Sequence, residues 1–446
     1  MHGLAEQPNA IAKALGLRAW RTPADLLAYQ ERCLRRLVDH AYRSVPYYRA
    51  LLDDHGVTPA QIRTLADLGR LPISSKDDLR HQPPLDLLAA GLRPDRLRRI
   101  QTTGSSGVPF VLYRSSSEQR MHHLFYLRTH REFGQRLGDR VVRIAAVRSR
   151  PATKLEPVGG LLRAAGLRNH VLDVSAPPHE ILAELAALRP GIIGTYPGML
   201  ARLGEELRRS GRADIRPRFV VAVGEVLTAA RRAQIEATWG VPAREVYSCW
   251  EMGLVAWECR ATGRLRVCDD SVLLEVLKDG RPAAAGERGE VVLTSLHSFA
   301  MPFIRYRLGD VVTRGTEGCS CGSPFSTIGM VQGRMLDFFR LPSGRLVHPY
   351  EIVAQLREDG WVGQYQVVQE AADRIVVLIV PNAAFSREKA TAFEARAAAV
   401  LGPEASVRTE EVERIEPAPS GKFHLARSLV PATGEEPAWH RSAPVG

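Results

Sequence analysis

Lysine is nearly missing from this chain: of 60 basic residues among 446, six are lysine and the rest are arginine. Each lysine in a motif is therefore conspicuous. Cysteine is also scarce, at six residues, which excludes a disulfide scaffold and points to a reducing compartment. No apolar run approaches the roughly 18 residues of a membrane span. The segment Met1–Gly16 carries Glu6 and has no continuous apolar stretch, so it does not read as a secretory signal. These absences lead to the expectation of a soluble, cytoplasmic protein with no membrane partner. What is present is ordinary globular composition, 45% apolar and 24% charged, which excludes wholesale disorder.

The net charge is +11. The arginines are scattered, and the densest local group, Arg93, Arg96, Arg98 and Arg99, is short and isolated. A nucleic-acid face concentrates basic residues on one element with interleaved aromatics, so no nucleic-acid partner is expected. Polyanionic small ligands such as ATP or CoA suit this charge.

Residues 1–90 read as helical, with Thr22 as a cap, Pro23 in the first turn, and Leu26, Leu27, Leu34, Leu37, Val38 and Ala41 at helical spacing. From 140 to 300, short apolar runs alternate with helical patterns. Arg140–Val147, Gly191–Thr195 and Arg218–Val223 read as buried strands. Glu180–Leu188, Met199–Arg209 and Thr228–Trp239 read as helices, the last ended by Gly240. Ser271–Leu277 and Gly289–Leu296 read as antiparallel strands. The alternation predicts an α/β class: a large multi-layer N-terminal domain over 1–333. A small α+β domain follows over 334–446, with a turn at Leu341–Gly344, then a helix, a strand Arg374–Val380, a helix Ser386–Leu401 and a frayed tail.

Chemistry is concentrated in a few motifs. In Gln101–Pro109, the residues Thr102, Thr103, Gly104, Ser105, Ser106 and Gly107 are all glycine or hydroxyl-bearing, a composition that lets backbone N–H groups and hydroxyls surround phosphate oxygens. No Gly-Lys-Ser/Thr follows, so this is not a Walker loop. Downstream come Gly224-Glu225, Tyr247-Ser-Cys-Trp-Glu251, Arg305-Tyr-Arg-Leu-Gly-Asp310, Gly333-Arg334 and Pro419-Ser-Gly-Lys422. Upstream are Val45-Pro-Tyr-Tyr-Arg49 and Leu71-Pro-Ile-Ser-Ser-Lys76. This ordered set resembles the adenylate-forming superfamily of acyl-CoA synthetases, adenylation domains and luciferases. Within it the chain is most similar to the phenylacetate–CoA ligase branch and its capsular-biosynthesis-type relatives.

The resemblance implies a two-step reaction. ATP and a carboxylic acid, aryl or small organic, give an acyl-adenylate, and a CoA thiol then displaces AMP; an amine or a carrier protein is the alternative acceptor. It implies that Thr102–Gly107 hold phosphates and that Glu251 binds Mg²⁺. Gly224, Glu225 and Tyr247 line the adenine, Asp310 binds the ribose, and Arg334 contacts ribose or α-phosphate. Lys422 is the catalytic lysine of a mobile C-terminal lid, with Asp337 its hinge. A lysine common in the family's phosphate loop is replaced here by Val108, so Mg²⁺, backbone dipoles or an arginine such as Arg114 must meet the phosphate charge. The run Phe339–Pro349 departs from the turn that guides CoA in the branch. Tyr126, Tyr196, Pro197 and Trp250 are the candidate walls of the acid pocket. Cys259, Cys268, Cys319 and Cys321 are either ligands of a structural Zn²⁺ or unpaired thiols. Cys249 reads as a pocket-wall residue and Cys33 as core. Either a monomer or a homodimer is compatible.

Overall fold

The computed structural model describes residues 20, 22–101, 110–145, 168–174, 176–315, 318–334, 339–347, 349, 352, 354–356, 361–416 and 426–430. Helix α1 (Pro23–Ser44) starts as its sequence dictates: Thr22 accepts from the Asp25 amide at 3.1 Å and Pro23 fills the first turn. Its buried stripe is Leu26, Cys33, Leu34, Leu37, Val38 and Ala41, whereas Leu27, expected in that stripe, points outward at 44% exposure. Helix α2 (Ser116–Glu132) opens on a capping box. Ser115 Oγ accepts from the Glu118 amide, and Glu118 accepts from the Ser115 amide at 2.7 Å.

A parallel half-sheet follows. It consists of β1 (Arg140–Ala145), β2 (Arg168–Asp173), α3 (Pro178–Leu188), β3 (Ile192–Thr195), α4 (Pro197–Arg209), β4 (Phe219–Val223), α5 (Ala229–Trp239) and β5 (Ala243–Cys249). The strands lie in the order β2-β1-β3-β4-β5, all parallel. Their apolar runs are buried on both faces, as parallel strands require. Val142, Ile144, Ile193 and Val220 pack against α3, α4 and α5; Val141, Ile192, Phe219 and Val221 pack with Phe125 of α2 and with Trp257. Helix α5 ends at Gly240, whose φ of 66° closes the C-cap.

The sheet continues through antiparallel strands: β6 (Gly253–Glu258), β7 (Leu265–Val267), β8 (Val272–Lys278), β9 (Arg288–Ser295), β10 (Tyr306–Arg314) and β11 (Thr327–Arg334). Beyond β5 the order is β6-β7-β11-β10-β9-β8, which makes thirteen strands in all among the described residues once two short ones are included. The pair β8 and β9 matches the expected antiparallel strands to within one residue at each end.

The chain divides into two compact units. The second begins at Gln332 and also takes in Asp279–Arg281 and Gly309–Val311. It holds β12 (Val362–Ala371), β13 (Arg374–Pro381), α6 (Arg387–Leu401, capped by Ser386), β14 (Ser406–Glu411) and β15 (Ala426–Ser428). The strand order is β14-β13-β12-β15, around a core that includes Phe339, Trp361 and Phe393. The molecule is thus α/β, with a large unit and a small one. No described helix is long and apolar enough to cross a membrane.

A buried ion pair fastens α2 to the segment after β7. Arg128 donates from both terminal nitrogens to Asp270, at 2.6 and 2.9 Å, with the two side chains 4% and 3% exposed. Its guanidinium carbon lies 5.3, 5.0 and 5.1 Å from the rings of Phe125, Trp257 and Phe325. Trp20 Nε1 donates to the same carboxylate at 3.1 Å. Burial alone would raise the Asp270 carboxyl; Arg128 and Trp20 overcome it and hold the group below its ordinary value. Replacing Arg128 with methionine leaves that carboxylate buried without its cation. The expected cost is about 3–5 kcal/mol, read as a shifted urea midpoint; an unchanged midpoint would show that the pair is not structural.

Candidate active site

The Tyr247–Glu251 motif spans the end of β5 and the reversal into β6. The turn is completed by Gly253 at φ 73°, where an added Cβ would lie 2.1 Å from Nδ1 of His122 on α2. His122 is buried and neither ring nitrogen has a hydrogen-bond partner among the described residues. Burial, then the nearby Arg114 charge, pushes its imidazole well below the usual range, so the ring is neutral.

Glu251 is buried at 6% exposure. Its peptide is held by Arg114, whose Nη2 donates to the carbonyl of Trp250 at 2.7 Å and more weakly to that of Glu251 at 3.4 Å, while Nη1 donates to Gln119 at 3.1 Å. Its carboxylate is held by Tyr306, whose hydroxyl donates to Oε1 at 3.1 Å. No donor among the described residues reaches Oε2. A fixed carboxylate with one oxygen left over is the ligand type Mg²⁺ takes, so the residues present fit that ion. Arg114, considered for phosphate charge, is instead buried and engaged with these carbonyls.

One further arginine, a tyrosine and a serine support this region. Arg305, which opens the run to Asp310, has φ 43° and grips Glu275 at 2.9 and 3.0 Å and the Leu71 carbonyl at 2.6 Å. Tyr48 donates to the Pro302 carbonyl at 3.1 Å and accepts from the Ile304 amide at 3.0 Å. Ser74 pairs with Tyr306 in a short parallel ladder. The two N-terminal motifs therefore brace the strand that delivers Tyr306.

The other candidate residues fall as follows. Tyr247 is buried within the core cluster that includes Met252, Val255 and Tyr306. Gly224 follows β4 at φ 80°, and Glu225 accepts from the Gly198 amide at the start of α4 at 2.9 Å. Asp310 lies buried on β10. Tyr126, half-buried, hydrogen-bonds Ser248 on β5. Tyr196 follows β3 directly and Pro197 opens α4. Trp250 is exposed at 40%. Arg334 ends β11. Thr102–Gly107, Asp337 and Lys422 lie outside the described residues. The roles of Arg114 and Tyr306 were not legible beforehand. Tyr306 sat unremarked inside the Arg305–Asp310 motif, and nothing in sequence places it over Glu251.

The four-cysteine zinc set is corrected by the geometry. Cys259, Cys319 and Cys321 bring their sulfurs within 4.8 Å of one another. Cys268 is not among them. Its side chain turns inward to the aromatic cluster, where its sulfur accepts from Arg128 Nη2 at 3.1 Å. Three thiols are one short of a closed tetrahedral shell. Burial works to raise the Cys259 thiol, but hydrogen bonds from Thr262, the Ala261 and Thr262 amides and Cys321 lower it to about 7.

Comparison with known proteins agrees with this frame. Residues 341–428 match the family model described as the CapK C-terminal domain. A phenylacetate–coenzyme A ligase from Thermus thermophilus is 31% identical over 349 residues, 74% of this chain and 75% of the relative. A phenylacetate–coenzyme A ligase from Escherichia coli is 31% identical over 297 residues, 64% of this chain and 67% of that protein. A crystal structure of 2-hydroxyisobutyryl-CoA ligase in the postadenylation state superposes with a TM-score of 0.76 at 21% identity, covering 91% of this chain and 89% of the other. The fold is that of the adenylate-forming enzymes. Within them, the chain belongs to the phenylacetate–coenzyme A ligase family, and it is an AMP-forming acid ligase.

The clash at Gly253 supplies a test. Gly253→Ala carries the left-handed backbone penalty of about 1–2 kcal/mol plus the collision with His122. In a double-mutant cycle with His122→Ala, the pair should be less destabilised than the sum of the singles by about 1 kcal/mol or more. Strict additivity in urea unfolding would contradict the contact.

Proposed function

We propose that this chain uses ATP to activate a carboxylic acid and transfers the acyl group to the thiol of coenzyme A. In the first step a carboxylate oxygen attacks the α-phosphorus and pyrophosphate leaves. In the second the thiol sulfur attacks the acyl carbon, AMP leaves and the thiol proton is released to solvent. The observation that carries the reading is Glu251, fixed through its carboxylate by Tyr306 and through its peptide by Arg114, in a chain with phenylacetate–CoA ligase relatives.

The assignment of residues follows. The Thr102–Gly107 loop holds the outer phosphates. Mg²⁺, when bound at Glu251, neutralises phosphate charge. Gly224, Glu225 and Tyr247 line the purine, Asp310 accepts from the ribose hydroxyls, and Arg334 contacts ribose or α-phosphate. Lys422 steadies the charge that develops between carboxylate and α-phosphate; it belongs to a lid over 334–446 that turns about Asp337 between steps. The acid enters between Tyr126, Tyr196, Pro197 and Trp250, which suits an aryl or small organic acid. Six cysteines without disulfides favour the cytoplasm.

An amine acceptor is a second reading, favoured by the run Phe339–Pro349, where the branch's CoA-guiding turn is missing. Pyrophosphate release across an acid panel, repeated with CoA and with amines, separates the two: acyl-CoA with free AMP supports the first, amide supports the second. Lys422→Ala should lower adenylate formation at least 100-fold while sparing thioester formation from a supplied adenylate. Equal loss of both steps would overturn the role of Lys422.

A further inference from the structure

The parallel half of the sheet has a switch point. From β1 the chain steps outward to β2, then returns to the other side of β1 to build β3, β4 and β5. In open α/β sheets of this kind the crevice for ligands lies beyond the carboxyl ends of the two strands on either side of the reversal, here β1 and β3. Arg143 stands at that place. It pairs with Val171 of β2 on one side and with Gly194 of β3 on the other, next to a position with no side chain. Its β1 neighbours Val142 and Ile144 are buried, yet Arg143 is exposed.

Three polar groups among the described residues stand within range of the Arg143 charge. Its guanidinium is close enough to act electrostatically on the phenols of Tyr126 and Tyr196 and on the imidazole of His130. Tyr126 comes from α2 above the sheet and Tyr196 from the turn that ends β3. Among the described residues no carboxylate pairs with Arg143 and no hydrogen bond uses it. Glu225, the acid nearest Tyr196, is spent on the Gly198 amide.

We propose that Arg143 is the specificity residue for the far end of the acid, and that the substrate carries a second anionic oxygen group, such as a carboxylate, that it binds. The inference rests on the ligase reading above and adds the substrate class. Distance decides which end of the acid is meant. Glu251 follows β5, and β1 lies three ladder steps from β5, about 14 Å across the sheet. The Arg143 backbone is thus set well to one side of Glu251, so the reading places the reacting carboxyl on the Glu251 side and the far end of the acid on the Arg143 side. A planar guanidinium holds an oxyanion with two parallel donors, and Tyr126 and Tyr196 add hydroxyls to the same wall.

The test uses ATP–pyrophosphate exchange with matched acids: benzoate against terephthalate, phenylacetate against 4-carboxyphenylacetate, and butyrate against glutarate. In at least one pair the dicarboxylate should be preferred by roughly 10-fold or more in kcat/KM, the scale of a hydrogen bond to a charged group. Arg143→Gln should erase that preference, chiefly through KM, and leave the monocarboxylate unchanged. Arg143→Lys should restore part of it. A thermal melt of Arg143→Gln that matches the parent keeps folding out of the result. Preference for the monocarboxylate in every pair, equal losses on both members of a pair, or a rise in KM for CoA alone would each overturn the proposal. Absence of exchange with every acid would instead overturn the ligase reading, and this inference with it.

Discussion

A guanidinium enclosed by three aromatic rings and bonded to one carboxylate is the contact on which the large unit turns. Arg128 and Asp270 belong to elements 142 residues apart, and neither could be buried alone without a severe desolvation cost. Together they fix α2 against the segment after β7. That matters for chemistry because α2 is also the helix that presents His122 beneath the Gly253 turn and Tyr126 beside Ser248. Six and two residues before Arg128 on the same helix, those side chains inherit its rigidity.

Much of this architecture was legible in sequence, for an identifiable reason. Strands β1, β3 and β4 and helices α3, α4 and α5 were read to within a residue or two because apolar runs buried on both faces, proline at the helix starts and Gly240 at a helix end are local signals. Strand β2 was missed. Its sequence, Arg168–Asp173, mixes charge with apolar residues as an edge strand does, and only pairing with β1 makes it a strand. Strand β12 was missed for a related reason: Val362–Ala371 alternates polar glutamines with valines, and Gln366 and Gln369 are buried in spite of their polarity.

The site was legible as a set of motifs and illegible as a geometry. Glu251 and Asp310 were named from short motifs that resemble the family's, and both lie buried in the structure. The partner of Glu251 could not be named in that way, because the Tyr306 hydroxyl arrives from a strand 55 residues away. Arg114 shows the same limit: as an arginine beside a hydroxyl-rich loop it reads as a phosphate ligand, but its guanidinium is directed at backbone carbonyls. The cysteines show it most plainly. Cys259 and Cys268 are nine positions apart, yet Cys268, just past the end of β7, turns its thiol into the aromatic cluster, away from the other three.

Arg114 also closes the short ladder in which Arg98–Gln101 pairs with Val111–Arg114. The innermost pair, Gln101 with Val111, brackets the hydroxyl-rich stretch, and the outermost residue grips the peptide after Trp250. One small hairpin thus carries both the residues that flank the hydroxyl-rich stretch in sequence and the arginine that seats the peptide at Glu251. The two cannot drift independently: a sequence change that slips this ladder by a single register would displace both at once, so this hairpin is the least tolerant stretch for grafting a new loop onto the scaffold.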